Sequence, residues 1–212
     1  WTFRAASDAS VAWLLVDEQH HVATQAVSRR LVRQLLSLSA VQALSQVEIG
    51  FEPDAQCLRV HELVVWRLDA NGAWRKRTPV AASAFLLRQR EQQLEQQMLD
   101  GRVSLVALLE DVRVGDVIDL AWTLELREPL PGIAFTTYFA FAWNSPVAQA
   151  FVALHLDAAT PVRWALHAGG DGALPIERAG PHLVEWALRA PPCVEGEVNV
   201  PGSHWHWPLL EV

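Results

Sequence analysis

Apolar and polar side chains alternate along much of this chain, and this period of two constrains its fold more than any other feature. Val47, Ile49 and Phe51 alternate with Glu48 and Gly50, and segments 11–16 and 58–65 continue the pattern. Successive side chains of a strand point to opposite faces of a sheet, so the pattern indicates half-buried strands. Many short strands separated by turn residues predict an all-β fold, an antiparallel β-sandwich with one or two short helices.

Turn residues place the strands. Asn71-Gly72 is a pair favoured in two-residue hairpin turns, so Val60–Leu68 and Ala73–Val80 are predicted to form a hairpin. Breaks that contain Pro or Gly delimit further strands at 116–126, 133–143, 147–157, 161–167 and 182–189.

Composition limits the function classes. The net charge of −7 argues against nucleic acid as a partner, because backbone phosphates require a basic face. No apolar run approaches the ~20 residues of a membrane-spanning helix, so no membrane span is expected in this chain. The 10 Trp should lie in cores or at their margins, whereas a row of exposed Trp would indicate carbohydrate stacking.

The segment Val103–Leu124 reads as a strand, a tight turn and a second strand. Apolar residues 103–109 are followed by the charged break Glu110-Asp111, then by Gly115-Asp116 and the run 117–124. Glycine permits a positive φ at the turn, and the aspartate side chain can cap nearby amides.

This segment and the residues before it carry a family resemblance. The pieces are Glu91-Gln92-Gln93-Leu94-Glu95, Asp100-Gly101-Arg102 and the run Val112–Ile118. Together they resemble the core motif of a bacterial domain of unknown function that lies immediately N-terminal to transglutaminase-like domains. The resemblance covers about residues 10–190 and implies a non-catalytic domain, periplasmic or associated with the cell envelope, whose partner is a downstream transglutaminase-like domain or another protein.

The resemblance also decides two segments that have helical features. Residues 27–44 have a helical stripe and residues 85–99 are rich in Gln, Glu and Leu. The resemblance implies a strand and then a short helix near Ala40–Leu44, and a strand to about Arg90 followed by a helical turn near Glu91–Met98. We expect one sandwich domain over residues 1–198, with a subdivision into two lobes near residues 144–146 as an alternative.

The cysteines do not form a transglutaminase-like site. That mechanism requires a thiolate at a helix N-terminus with a His and an acid. Cys57 is expected to be a small buried residue of a strand, and Cys193 an exposed loop residue after Pro191-Pro192. We therefore predict no catalytic residues, no cofactor and no enzyme activity.

Histidines provide the weak candidates for metal ligands. His204 and His206 would share one face of a strand, but zinc sites normally take three or four protein ligands, so we predict no metal there. His20-His21 is expected in an exposed turn.

The C-terminal tail, residues 199–212, is the candidate interaction segment. It combines two Trp, several apolar residues, Pro201 and Pro208, and the prolines are expected to prevent a regular central strand. We expect Trp205, Trp207 and Leu209 to fold back on the sandwich or to dock on a following domain or a second copy.

Three functional hypotheses follow. The first is a non-catalytic accessory domain that positions a substrate or partner for a downstream Cys/His/Asp domain. The second is a carbohydrate- or envelope-polymer-binding module, and the third is a small metal-dependent enzyme that uses the C-terminal histidines.

Overall fold

The fold is built from strands, as the alternating pattern predicts. The computed structural model describes residues 9–77, 80–89, 101–128, 136–141, 143–157, 161–167, 175–191, 193 and 209–212. Within these ranges the elements are β1 (Val11–His21), β2 (Ala26–Leu35), α1 (Leu38–Leu44), β3 (Gln46–Phe51), β4 (Gln56–Leu68), β5 (Trp74–Lys76), a 3₁₀ turn (Ala82–Ala84), β6 (Phe85–Gln89), β7 (Val103–Leu108), β8 (Val117–Leu126), β9 (Tyr138–Ala140), β10 (Gln149–His155), β11 (Ala165–His167), β12 (Ile176–Ala179), β13 (Leu183–Arg189) and β14 (Leu209–Glu211).

One large sheet organises the molecule. Its eight strands lie in the order β12-β13-β10-β1-β2-β8-β4-β5. Neighbouring strands are antiparallel except β1 and β10, which run parallel with Val16 opposite Ala150. Two three-stranded sheets, β3-β7-β6 and β11-β14-β9, complete the fold. The large sheet combines strands that precede residues 144–146 (β1, β2, β4, β5 and β8) with strands that follow them (β10, β12 and β13).

The first core lies between β3-β7-β6 and the large sheet. Ile118 and Leu120 of β8 and Leu63 of β4 pack with Val47 and Ile49 of β3, and each is almost fully buried. The helix α1 closes this core with Ala40. Its first turn is capped by Ser37, whose hydroxyl oxygen accepts a hydrogen bond from the Ala40 N–H at 3.1 Å.

The second core lies under β10 and β13. Trp186 and Val184 of β13 and Leu154 of β10 are fully buried, and they pack with Phe141 and with Leu210 of β14. Register pairs place these residues on the same face of the large sheet as the first core, because Glu18 is opposite Val152 and β1 continues the register to β2. Both small sheets therefore cover one face, which we call the inner face; the other is the outer face.

The all-β sandwich is confirmed, with two corrections. The strands β7 and β8 were predicted to flank a tight turn, but they belong to different sheets, and residues 109–116 cross between the layers. The prediction of an antiparallel sandwich also missed the parallel pair of β1 and β10. Long-range pairing of this kind has no local signature in the sequence.

The two ambiguous segments follow the resemblance where the structure describes them. Residues 26–35 are a strand and α1 follows, and β6 ends at Gln89. The helical turn predicted near Glu91–Met98 lies outside the described residues.

The hairpin of β4 and β5 is confirmed, but its loop is longer than two residues. Leu68 pairs with Trp74, which leaves residues 69–73 in the loop. Asp69 makes this length stable, because its carboxylate accepts hydrogen bonds from the N–H groups of Asn71 and Ala73, both at 2.9 Å. These bonds and the Arg75 guanidinium lower the pKa of Asp69.

Candidate functional site

Between the two cores, the inner face of the large sheet is polar. Because β1 and β2 occupy the middle of the sheet, their inner-face residues lie between the parts covered by the two small sheets. We call the polar and aromatic members of this set the floor; they are Trp13, Glu18, His20, Arg29 and Arg33, with Val16 and Leu31 among them on the same face.

Glu18 is the centre of a closed network in the floor. Its Oε1 lies 2.8 Å from Nε2 of His20, which is 3% exposed, and its Oε2 accepts a hydrogen bond from Nε of Arg29 at 2.7 Å. Burial raises the pKa of Glu18, but these hydrogen bonds outweigh burial and the pKa lies below its ordinary value. The carboxylate is therefore ionised at neutral pH with both oxygens engaged, so it does not offer a free base.

Arg33 has no such partner. It pairs in register with Trp13, and its guanidinium carbon lies 5.5 Å from the centre of the Trp13 ring. The Nε atom is buried without a hydrogen-bond acceptor, and no carboxylate of the described residues lies within ion-pair distance of Arg33. Burial lowers the pKa of the guanidinium. The floor therefore contains a buried positive charge that no described anion neutralises.

The outer face above the same strands carries a second polar group, which we call the outer row: Asp17, Gln19, His21 and His155. The Gln19 amide donates to Asp17 at 3.2 Å, and its oxygen accepts from Nε2 of His155 at 3.0 Å. His21 stacks on His155 with ring centres 4.3 Å apart. Burial raises the pKa of Asp17, and burial together with His155 lowers the pKa of His21. Both pKa shifts favour the neutral forms of Asp17 and His21, so these side chains can pack together without burying a charge.

Next to the outer row, an ion pair joins β2 to β8. Arg30 donates from Nε and Nη2 to the two carboxylate oxygens of Asp119 at 2.9 and 2.8 Å, and Asp119 is 1% exposed. The hydrogen bond to Asp119 raises the pKa of Arg30. This two-bond contact of a guanidinium with a carboxylate stabilises the pairing of β2 with β8, and both oxygens of Asp119 are occupied.

The family motif around Gly115-Asp116 forms a structural turn. Gly115 has φ 93, which glycine adopts without strain, and its N–H donates to the Leu35 carbonyl at 2.7 Å. The Asp116 carboxylate is 2% exposed and accepts from the Arg113 N–H at 2.9 Å and from Nε and Nη2 of Arg67 at 2.7 and 2.6 Å. These bonds hold the crossover from β7 to β8 against the large sheet. The expected capping by Asp116 is confirmed.

Both cysteines are exposed. This confirms the expectation for Cys193 and corrects it for Cys57. Cys57 is the second residue of β4 and lies opposite Glu125, at a strand end where no described layer covers the outer face. Neither cysteine lies at the start of α1, the helix of the described residues. In the described ranges no group of three His, Cys, Asp or Glu side chains is arranged to hold a metal ion.

The predicted C-terminal site is described in part. Trp205, Trp207, His204 and His206 lie outside the described residues, so their roles stay predictions. Leu209 begins β14, which pairs with β9 and β11 as the central strand of its sheet. The expectation that Pro201 and Pro208 prevent a regular central strand is wrong for 209–211, because the strand starts directly after Pro208. Leu209 is partly buried, and its role in an interaction stays a prediction.

Sequence reasoning missed the floor because it placed His20-His21 in an exposed turn. The two histidines instead end β1, and His20 is buried. The register of β1 and β2, in which His21 pairs with Ala26, carries the strand through both histidines, and this register is a property of the structure.

The described tryptophans are partly or fully buried, as expected for cores and their margins. They are Trp13, Trp66, Trp74, Trp122, Trp143, Trp164 and Trp186. Separately, none of the described helices has the length and apolar character needed to cross a membrane.

Comparison with known proteins identifies the family. Residues 22–195 match the family described as a domain of unknown function with a solved structure, DUF3857. The chain belongs to this family. DUF3857 as a domain of unknown function agrees with the resemblance drawn from the motif, and the association with transglutaminase-like domains stays a hypothesis.

Solved structures share the fold. One, described as "a putative protease" from Parabacteroides distasonis ATCC 8503, superposes with a TM-score of 0.71 at 18% identity and covers 95% of this chain and 40% of that chain. Legionella pneumophila aminopeptidase A in complex with aspartic acid gives a TM-score of 0.44 at 10% identity, covering 97% of this chain and 22% of that chain. At 18% identity the similarity to the Parabacteroides protein concerns the fold alone, and we draw no conclusion from the similarity to the aminopeptidase. No curated protein matches the chain.

Proposed function

We propose that this DUF3857 chain is a non-catalytic accessory domain of a longer bacterial protein of the cell envelope or periplasm. Its role is to position a substrate or partner for a transglutaminase-like or peptidase-like domain with its own Cys/His/Asp set.

One observation carries the proposal: the buried carboxylates of the described polar clusters are occupied by neighbouring side chains and are not arranged around a nucleophile. The Glu18 carboxylate is occupied by His20 and Arg29, and the Asp119 carboxylate by Arg30. A covalent mechanism requires a thiol or hydroxyl next to a base that a third group orients. His61 contacts a hydroxyl, that of Thr123 at 2.7 Å, but His61 is exposed and no hydrogen bond orients it towards a carboxylate in the described part.

The solved relative supports the same reading. Its chain is more than twice as long as the part that this chain matches, since the match covers 40% of it. The protein is described as "a putative protease", and we propose that such chemistry belongs to regions outside the shared fold. Domains of one chain commonly meet through modest, partly polar interfaces, which suits a chain that would dock on a neighbour.

The proposal is tested with the longer protein and the isolated chain side by side. Both are assayed for thiol-dependent amide hydrolysis and for incorporation of a fluorescent amine into casein. We expect activity in the longer protein, unchanged by Cys57→Ala or Cys193→Ala, and none in the isolated chain. Turnover by the isolated chain that either substitution abolishes would refute the proposal, and so would a reading frame in which no further domain accompanies this one.

A further inference from the structure

Arg33, in the floor, carries a positive charge that no carboxylate of the described residues neutralises. Arg29 and Arg30 each bind a carboxylate at 2.7–2.9 Å, whereas Arg33, on the same strand, makes no hydrogen bond and no ion pair with any residue that the structure describes. Its Nε is fully buried. Burying an unpaired charge costs free energy, so a guanidinium in this position is expected to gain from an incoming anion.

The surroundings of Arg33 are aromatic and apolar. Leu31 and Leu35 flank it on the inner face of β2, and Trp13 lies against its guanidinium. Trp13 and Leu31 belong to a cluster with Trp143 and Phe139, whose rings are 6.3 Å apart. The guanidinium thus lies within cation–π distance of the Trp13 ring, an arrangement that leaves its N–H groups able to bind an anion.

The chemistry of the ligand follows from charge. A single guanidinium balances a single negative charge, and its planar fork matches the two oxygens of a carboxylate. A polyanion such as nucleic acid or polyphosphate would require several cations and would meet a chain of net charge −7. Aromatic and leucine side chains beside the fork favour an occupant that is otherwise apolar.

We propose that Arg33 is the anchor of a peptide-docking site, in which its guanidinium binds an Asp or Glu carboxylate of a peptide segment while Trp13, Leu31 and Trp143 contact the apolar residues next to that carboxylate. This deepens the proposed function and rests on it, because the segment would come from the neighbouring domain of the longer protein. The floor is well placed for this role, since it lies between the two small sheets.

The test uses the isolated chain and two small probes. The peptides acetyl-Leu-Glu-Leu-amide and acetyl-Leu-Gln-Leu-amide are titrated while the Nε–H resonance of Arg33 is followed by ¹⁵N NMR. We expect the Glu peptide to shift this resonance saturably and the Gln peptide to bind about tenfold more weakly, as loss of a charge-assisted hydrogen bond implies. The binding site is then mapped by the quenching of tryptophan fluorescence.

Variants separate binding from folding. Arg33→Met should abolish the difference between the peptides and leave the thermal midpoint unchanged or higher, because no protein acceptor is lost. Arg29→Met is the matched control: it breaks the Glu18 network and should preserve peptide discrimination. If Arg33→Met does not fold, Arg33→Lys replaces it and should bind the Glu peptide more weakly than the native chain does.

Three results would overturn the inference: equal binding of the two peptides, an unshifted Arg33 resonance, or inorganic phosphate shifting it as strongly as the Glu peptide. Because the probes are small peptides, the result of the peptide titration does not depend on the result of the activity assays. A domain that discriminates the peptides but also turns over substrate would refute the proposed function and leave the docking site in place.

Discussion

Replacement of Asp116 by alanine tests whether the family motif is structural. The change removes three hydrogen bonds, from the Arg113 N–H and from two nitrogens of Arg67. Breaking a buried ion pair costs about 3–5 kcal/mol. Arg67 has 21% of its side chain exposed and also binds the Asp111 carboxylate, so part of its charge stays compensated. We therefore expect a loss of about 3 kcal/mol, the lower end of that range, or about 6–12 °C in the thermal midpoint for a chain of this size.

Asp116→Ala is measured by urea denaturation and by calorimetry, with Asp111→Asn as the control. Asp111 is exposed, is ion-paired to Arg67, Arg77 and Arg113, and has a backbone φ of 51. Asparagine tolerates this left-handed conformation, so we expect the control to lower the midpoint much less than Asp116→Ala does. Peptide discrimination should persist in the folded fraction of Asp116→Ala. A variant that retains native stability but loses a binding activity would refute the structural assignment of the motif.

Three further predictions concern the cores, the outer row and the thiols. Trp186→Ala should destabilise the chain by about 3–5 kcal/mol, because the residue is fully buried in the second core; a loss below about 1 kcal/mol in urea denaturation would contradict this packing. The folded-state pKa of His21 lies below 6.5, so the unfolded chain takes up the proton first as the pH falls, and stability decreases from pH 6.5 towards the folded pKa. His21→Gln should therefore lose less stability than the native chain as the pH falls below about 6.5, and an identical pH profile would argue against burial of His21. Cys57 and Cys193 should both react with a thiol reagent without denaturant, in a ratio of two labels per chain by mass spectrometry.

The sequence predicts elements of this fold wherever the information is local. The period of two locates β1, β3 and β4, the apolar run 117–124 locates β8, and Asn71-Gly72 locates the turn of the β4–β5 hairpin. The pairing of strands with one another could not be predicted in this way. Nothing near residues 103–108 and 117–126 indicates that they belong to different layers, and nothing near β1 or β10 indicates a parallel pair, because such pairings depend on contacts far apart in the chain.

The candidate site was less predictable than the fold. Arg29, Arg30 and Arg33 look alike in the sequence, and their different surroundings arise from the register of β1 and β8 against β2. Alternation puts Arg30 on the outer face beside Asp119 and puts Arg29 and Arg33 on the inner face, where Glu18 reaches Arg29. Which arginine lacks a carboxylate is therefore a property of the tertiary structure. The same holds for His20, whose burial depends on the second layer.

The most direct test of the accessory role is a calorimetric titration of the isolated chain with the neighbouring catalytic domain of the longer protein, expressed separately. We expect saturable one-to-one binding that Arg33→Met weakens and Arg29→Met preserves. No heat of binding, together with an unchanged catalytic rate of the neighbouring domain when the chain is added, would contradict it.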